Sequence, residues 1–154
     1  AEILGGGTTS YLAEKLQFDT QTATYSAVWY SGVSLDDTTF RMVVVPSDGV
    51  SLEEGEAAMD KALADFMEAG VDPEQLDRIK LQIRAAEIYA QDNVDGIANR
   101  YGSALTSGLT IADVQAWPAV LDGVTAEDIM EAAKLLRREA SVTGWLMRDE
   151  GDTQ

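Results

Sequence analysis

Thr22-Ala23-Thr24-Tyr25-Ser26-Ala27-Val28-Trp29-Tyr30 sets Ala23, Tyr25, Ala27 and Trp29 in strict alternation against Thr22, Thr24, Ser26 and Val28. Successive side chains of a strand point to opposite faces, so a period of two sustained over this stretch predicts a β-strand. Ser31-Gly32 and Asp36-Asp37 bracket a loop behind it. Thr39-Phe40-Arg41-Met42-Val43-Val44-Val45 then forms a second run of strand-favouring residues, stopped by Pro46. The two runs are expected to pair as an antiparallel hairpin across a longer loop.

Helical signals surround this hairpin. Upstream, Ile3-Leu4-Gly5-Gly6-Gly7 reads as a helix exit, with glycine taking a left-handed cap conformation. Thr8 to Phe18 reads as a short helix capped by Thr9 or Ser10, with Leu12 and Leu16 on one face. A domain rarely begins with a helix exit, so the chain is expected to be the later part of a larger lobe. Downstream, Ser51 and Glu54 make a capping box, and Met59, Leu63, Phe66 and Met67 supply a buried stripe until Gly70. Asp72-Pro73-Glu74-Gln75 starts the next helix, with Pro at the first helical position and Gln75 completing a second box. Its stripe, Leu76, Ile79, Ile83, Ala86, Ala90, Val94 and Ile97, predicts the longest element of the chain.

Tyr101 to Leu109 continues as a helix after a kink at Gly102, and Thr110 to Asp113 caps a short one that runs toward Trp117-Pro118. Val124 to Asp128 opens the last helix, with Ile129, Ala133 and Leu136 inward, and Ser141 to Met147 is read as a final apolar strand. The expected order is αββαααααβ. It describes an α+β fold, a small antiparallel sheet packed against several helices. Residues 1–148 are read as a single domain and 149–154 as a polar tail that frays.

Composition narrows the chemistry. The 154 residues include no histidine and no cysteine, so a His- or Cys-ligated zinc site, a Ser-His or Cys-His nucleophile and a disulfide are all excluded. Carboxylates alone could still hold calcium or magnesium, or act as a glycosidase pair. Eleven Lys and Arg against 27 Asp and Glu give a net charge of -16, which repels phosphate backbones and anionic headgroups. Nucleic acid and membrane surfaces are therefore not expected partners. No apolar run has the roughly 20 residues of a membrane span.

Each candidate motif has an ordinary structural explanation. The glycine triplet lacks the Gly-Lys-Ser/Thr and the preceding strand of a phosphate loop, and reads as a helix cap. Asp92-Asn93-Val94-Asp95-Gly96 resembles part of a calcium loop but lacks its terminal Glu, and falls within the helical stripe as a solvated face. Asp36-Asp37 and Glu53-Glu54 suit local backbone donors and a helix dipole. Trp29 and Tyr30 could stack a ligand, but alternating strand aromatics are more often core.

Taken together, Leu4 to Leu12, Ala27-Val28-Trp29-Tyr30-Ser31-Gly32, Gly70 to Lys80 and Val124 to Ile129 resemble, in order and spacing, C-terminal halves of the insulinase-like, pitrilysin-type zinc peptidases. Val114-Gln115-Ala116-Trp117-Pro118 looks like a bacterial branch of that family. The resemblance runs through nearly the whole chain. Each subunit of that family has two homologous α+β lobes, and the N-terminal one bears a His-x-x-Glu-His zinc motif. This chain has no such motif. The resemblance implies a non-catalytic lobe that closes over short or unfolded peptides held at a zinc site on another lobe or a paralogous subunit. Zinc is thus expected in the parent enzyme and not in this chain, and no residue here is assigned a catalytic or metal-binding role.

Members of the family often carry an Arg, and seven residues later a Tyr, that hydrogen-bond the substrate. Tyr25 falls near the expected Tyr and is the single candidate substrate contact. Its other reading is an ordinary strand aromatic. The Arg position is Phe18, beside Gln17, so the cation is missing and a paralogous subunit is expected to supply the Arg–Tyr pair. Two other functions stay open, a catalytically inactive structural or assembly subunit of the same fold, and a peptide-binding module that offers a sheet edge. A lobe without its partner is expected to expose apolar surface and to be able to dimerise. The resemblance points to the periplasm or cell envelope, with the cytoplasm left open.

Overall fold

The computed structural model describes residues 1–147. In chain order it contains α1 (Glu2–Gly5), a π-helix (Ala13–Asp19), β1 (Ala23–Tyr30), β2 (Phe40–Pro46), α2 (Leu52–Ala69), α3 (Pro73–Ala90), α4 (Val94–Thr106), α5 (Ile111–Gly123), α6 (Ala126–Ala133) and a 3-10 turn at Arg138–Ala140. The class is α+β, and β1 and β2 form a two-stranded antiparallel sheet. The tail read at Asp149 to Gln154 lies outside the described residues.

The core is built by the first half of the chain. Ile3 and Leu4 from α1, Leu12 and Leu16 around the π-helix, Ala23 and Val28 from β1, and Ala62 and Phe66 from α2 form one buried cluster. Phe40, Met42 and Val44 close it from the inner face of β2, and the Tyr11 ring meets Phe66 edge-on at 5.2 Å. Leu76 and Ile79 bring in only the start of α3, while Ile129 and Leu136 add the α6 end.

The glycine triplet works differently from expectation. Gly6, the residue that ends α1, has φ -77, and the left-handed glycines are Gly49, Gly70 and Gly108. The requirement at Gly5 is space. A Cβ there would lie 2.5 Å from both the Cγ2 and the backbone nitrogen of Val28, so only glycine lets α1 settle onto β1. At Gly6 a Cβ would meet the Glu2 backbone at 2.8 Å, whereas Gly7 has open space. Ser10 does not cap the following helix through its side chain either, because its hydroxyl donates to the Gly7 carbonyl at 2.6 Å. That helix widens to a π register, closed by the Thr20 amide donating to the Lys15 carbonyl.

Most helix starts follow their caps. Ser51 with Glu54, Thr110 with Asp113 and Thr125 with Asp128 form complete capping boxes. The box expected at Gln75 does not form. Asp72 accepts from the Glu74 amide at 3.0 Å, and the buried Gln75 side chain donates to the Thr9 carbonyl instead, tying α3 to the glycine loop. The long stripe ending at Ile97 is interrupted. α3 stops at Ala90, and Asn93 restarts a helix by accepting from the Gly96 amide at 3.0 Å. A local cap overrides a periodicity whose later members are not buried, since Val94 is 76% exposed. α2 and α3 are therefore equal at 18 residues, and α3 is not the longest element. α4 passes through Gly102 unbroken.

α5 likewise runs on through Pro118 to Gly123. Proline removes the amide that would have reached the Val114 carbonyl. Arg100 on α4 donates to that carbonyl at 3.4 Å, so the acceptor is not orphaned.

The strand expected from Ser141 to Met147 does not form. This run has neither ladder nor helix, and its Thr143 hydroxyl and Trp145 indole donate to Glu56 on α2, both at 2.8 Å. Arg138 pairs with the same carboxylate. These three donors draw the run to α2, and the two Thr143 and Trp145 bonds, with Arg138, hold the Glu56 carboxyl below its ordinary range.

Two predictions follow from these local constraints. Gly5→Ala is expected to cost about 1–3 kcal/mol or more by overpacking against Val28, whereas Gly7→Ala stays within about 0.5 kcal/mol. Urea midpoints of the two variants check this. In the capping boxes, the Ser51 amide and hydroxyl lower the Glu54 pKa from 4.5, the Thr110 hydroxyl and amide lower Asp113 from 3.8, and the Thr125 amide and hydroxyl lower Asp128 from 3.8. A carboxylate depressed by folding stabilises above its unfolded pKa and loses that contribution as pH falls through the folded value. Acidification below these ordinary values should thus lower the melting temperature. Combining Glu54→Gln, Asp113→Asn and Asp128→Asn should flatten that acid limb while lowering stability at neutral pH.

Candidate functional site

The sheet has one face on the core and one turned away from it. Ala23 pairs with Pro46 and Tyr25 with Val45, so Thr24 is an extra residue and β1 carries a bulge. The bulge changes the phase of the alternation. Ala23 is buried before it, and Ser26 and Val28 are buried after it, which turns Tyr25, Ala27 and Trp29 to the outer face. An unbulged strand would have put Tyr25 and Trp29 on the Ala23 side. The core reading of Trp29 and Tyr30 is therefore corrected, since they are 45% and 53% exposed. Tyr30, at the strand end, meets the Phe40 ring at 6.4 Å.

Across the ladder Tyr25 faces Val45, Ala27 faces Val43 and Trp29 faces Arg41. The outer face thus offers a phenol, an indole and two valines with a cation at one end. Tyr25, the first paired residue after the bulge, is 53% exposed. Phe18, at the position where the resembling family carries Arg, is 60% exposed near the end of the π-helix. Its neighbour Gln17 is engaged structurally, donating from Nε2 to the Ser26 hydroxyl at 2.8 Å. That bond gives the buried Ser26 a partner and pins the π-helix to β1.

A second concavity of about 460 Å³ lies between the loop Gly6 to Ser10, Glu2, and Ile79, Gln82, Ile83 and Ala86 of α3. It contains no lysine or arginine, so the glycine loop lacks the side-chain charge of a phosphate cradle. Asp92 to Gly96 is the α3–α4 junction, where Asn93 is occupied as a cap. Glu54 is likewise occupied in its capping box. Among the described residues no three His, Cys, Asp or Glu side chains converge on a point where a metal ion could sit. Zinc in particular lacks its usual donors, because the chain has no His or Cys. No helix among the described residues is long and apolar enough to cross a membrane.

No protein-family profile matches the chain, and no curated protein matches it. Solved structures do. A protease from Helicobacter pylori superposes with a TM-score of 0.78 at 16% identity, covering 87% of this chain and 32% of that one. A putative zinc protease from Bordetella pertussis Tohama I gives 0.76 at 17% identity, covering 90% of this chain and 76% of that one. A conserved protein from Enterococcus faecalis gives 0.64 at 22% identity, covering 86% and 30%. The fold is protease-like. The chain spans about a third of the Helicobacter and Enterococcus chains.

Sequence reasoning missed the Glu56 cluster, the Gln17 to Ser26 bond and the bulge. Because Tyr25 is exposed, Tyr25→Ala should change stability by no more than about 0.5 kcal/mol. Phe66→Ala, in the core, should cost about 3–5 kcal/mol. Thermal melts of both variants separate a surface contact from a packing role.

Proposed function

We propose that this chain is the non-catalytic C-terminal lobe of a zinc-dependent endopeptidase of the insulinase-like, pitrilysin type. It encloses short or unfolded peptides for hydrolysis at a zinc site on another lobe or subunit. The observation that carries this reading is the bulged hairpin, which directs Tyr25 and Trp29 away from the core and leaves them accessible. The chain has no histidine or cysteine, so a zinc site of the usual donors would have to be on another lobe or subunit. Likeness in fold to proteins described as a protease and a zinc protease supports the same reading.

In this role Tyr25 donates a hydrogen bond to a peptide held against the outer sheet face, and Trp29 and the valines cover its apolar side chains. Phe18 cannot provide the cation of the family's Arg–Tyr pair, so a paralogous subunit supplies it. The enzyme works in the periplasm or cell envelope.

A second reading is favoured by the two strand edges that, among the described residues, carry no neighbour in the sheet. It makes the chain a peptide-binding module that offers the edge of its sheet for strand addition and takes part in no chemistry. Activity of the full-length parent, with and without its paralogue, on a quenched unstructured peptide before and after chelation and zinc restoration decides between the two. The lobe reading expects chelator-sensitive cleavage, and a kcat/KM at least about tenfold lower for Tyr25→Ala, which corresponds to about 1.4 kcal/mol. No zinc-dependent cleavage in either combination, with peptide binding by this chain alone, would overturn it.

A further inference from the structure

The outer face of the hairpin carries one charge. Tyr25, Ala27 and Trp29 of β1 and Val43 and Val45 of β2 are neutral, and Arg41, exposed opposite Trp29, is the cation that ends the row. With 27 acidic residues against 11 basic ones, a cation in this chain has carboxylates in excess, and Lys15, Lys61, Arg84, Arg100, Lys134 and Arg138 all pair with one. Among the described residues Arg41 does not, although Asp36 and Asp37 stand in the loop before β2. Its side chain donates from Nε to the Thr39 hydroxyl at 3.2 Å, and the cation–π contact among the described residues is Lys15 over Tyr11, not Arg41 over Trp29. The Thr39 bond holds the inner nitrogen of the guanidinium. It leaves the two terminal nitrogens, which can take a carboxylate by parallel hydrogen bonds, without a protein partner among the described residues.

Tyr25 and Trp29 are four residues apart on β1, and Arg41 pairs with Trp29 across the ladder, so the phenol and guanidinium positions are separated by about 13 Å along the strand. Residues i and i+4 of an extended peptide share one face at the same spacing. We propose that Arg41 is a specificity-determining residue, selecting extended peptides that carry one carboxylate four residues from the position bonded by Tyr25 and neutral or basic residues elsewhere. This rests on the reading of the outer face as the surface that meets the peptide. The net charge of -16 disfavours any further acid on the ligand, whereas the Arg41 contact is short enough to act inside the roughly 8 Å range of salt screening. A side-chain carboxylate and a peptide C-terminus offer the same fork to the guanidinium.

The test uses the full-length parent with its paralogue and zinc, and quenched peptides with Asp, Asn or Lys scanned through an otherwise neutral sequence, each with an amidated or a free C-terminus. At one position Asp should raise kcat/KM over Asn by about threefold or more, the upper range of an exposed ion pair. A gain in the amidated peptides assigns a side-chain carboxylate, and a gain confined to free C-termini assigns the terminal one. Arg41→Gln should bring the ratio to about one, and Arg41→Glu should make Lys the favoured residue. The preference should also shrink as salt is raised. An enzyme that cleaves with zinc but shows no carboxylate preference, or keeps that preference in Arg41→Gln, overturns the inference and leaves the lobe reading standing. Absence of zinc-dependent cleavage removes the lobe reading instead, and anisotropy of labelled Asp and Asn peptides on the 154-residue chain then decides the role of Arg41. Tighter binding of the Asp peptide, lost in Arg41→Gln, upholds it, and equal binding or none overturns it.

Discussion

Everything in the first half of the chain depends on how closely α1 can approach β1. Gly5 lies against the backbone nitrogen and side chain of Val28, a separation that any larger residue would widen. Ile3 and Leu4 reach the core from α1 and Val28 reaches it from β1, so the same contact that seats the helix brings three core residues together. Interiors are packed to crystal-like density, and a displacement of one methyl group here would be felt at Leu12, Leu16 and Phe66. The glycine loop also fixes α3, through Gln75 and the Thr9 carbonyl. One steric allowance thus positions a helix, a sheet and the start of the helical layer.

The second constraint is the extra residue at Thr24. Period-two alternation carries the identity of a face only while the ladder is regular, and one unpaired residue exchanges the faces. In β1 that exchange sends Ser26 inward, where its hydroxyl needs a partner, and Gln17 supplies one. It also sends Tyr25 and Trp29 outward, where their apolar area costs the fold its burial. The bulge therefore trades core packing for an accessible aromatic face. Tyr25 is accessible because a buried serine, Ser26, takes the inner face in its place.

Which parts were legible in the sequence follows from the range of the forces involved. Capping acts over three residues: the Ser51–Glu54 box forms as read, and the helix starts read at Thr110–Asp113 and Val124–Asp128 are made by boxes of the same kind. The hairpin, with an alternating run before its loop and a valine run after it, was legible for the same reason. Readings failed where a distant partner decides the outcome. Gln75 left its expected box for the Thr9 carbonyl, and Pro118 did not end α5 because Arg100, from another helix, engages the carbonyl it deprives. Ser141 to Met147 has the composition of a strand but is bonded to Glu56, far back on α2. Tyr25 was legible as an isolated candidate, whereas its exposure depended on a bulge that no local pattern announces.

The two halves of the chain are held by different forces. The hairpin half buries a contiguous apolar cluster, whereas α3, α4 and α5 are joined largely by polar contacts. Lys80 donates to the carbonyls of Asp122 and Val124 at 2.9 and 2.5 Å, Arg84 to Asp122 at 2.6 Å, and Arg100 pairs with Glu87. Exposed and half-exposed pairs of this kind contribute little individually. Leu81, Ile88, Tyr89, Trp117 and Val120 remain exposed on the same helices. Elements with few buried apolar contacts occupy the low end of a protein's local stability range. The helical layer is thus the part of the fold that gains most from further burial, and the hairpin, with α1, the π-helix and α2, is the part already built on a buried core. Under the proposed reading, that division would give a rigid sheet face to meet a peptide and a helical side whose apolar surface another lobe could cover.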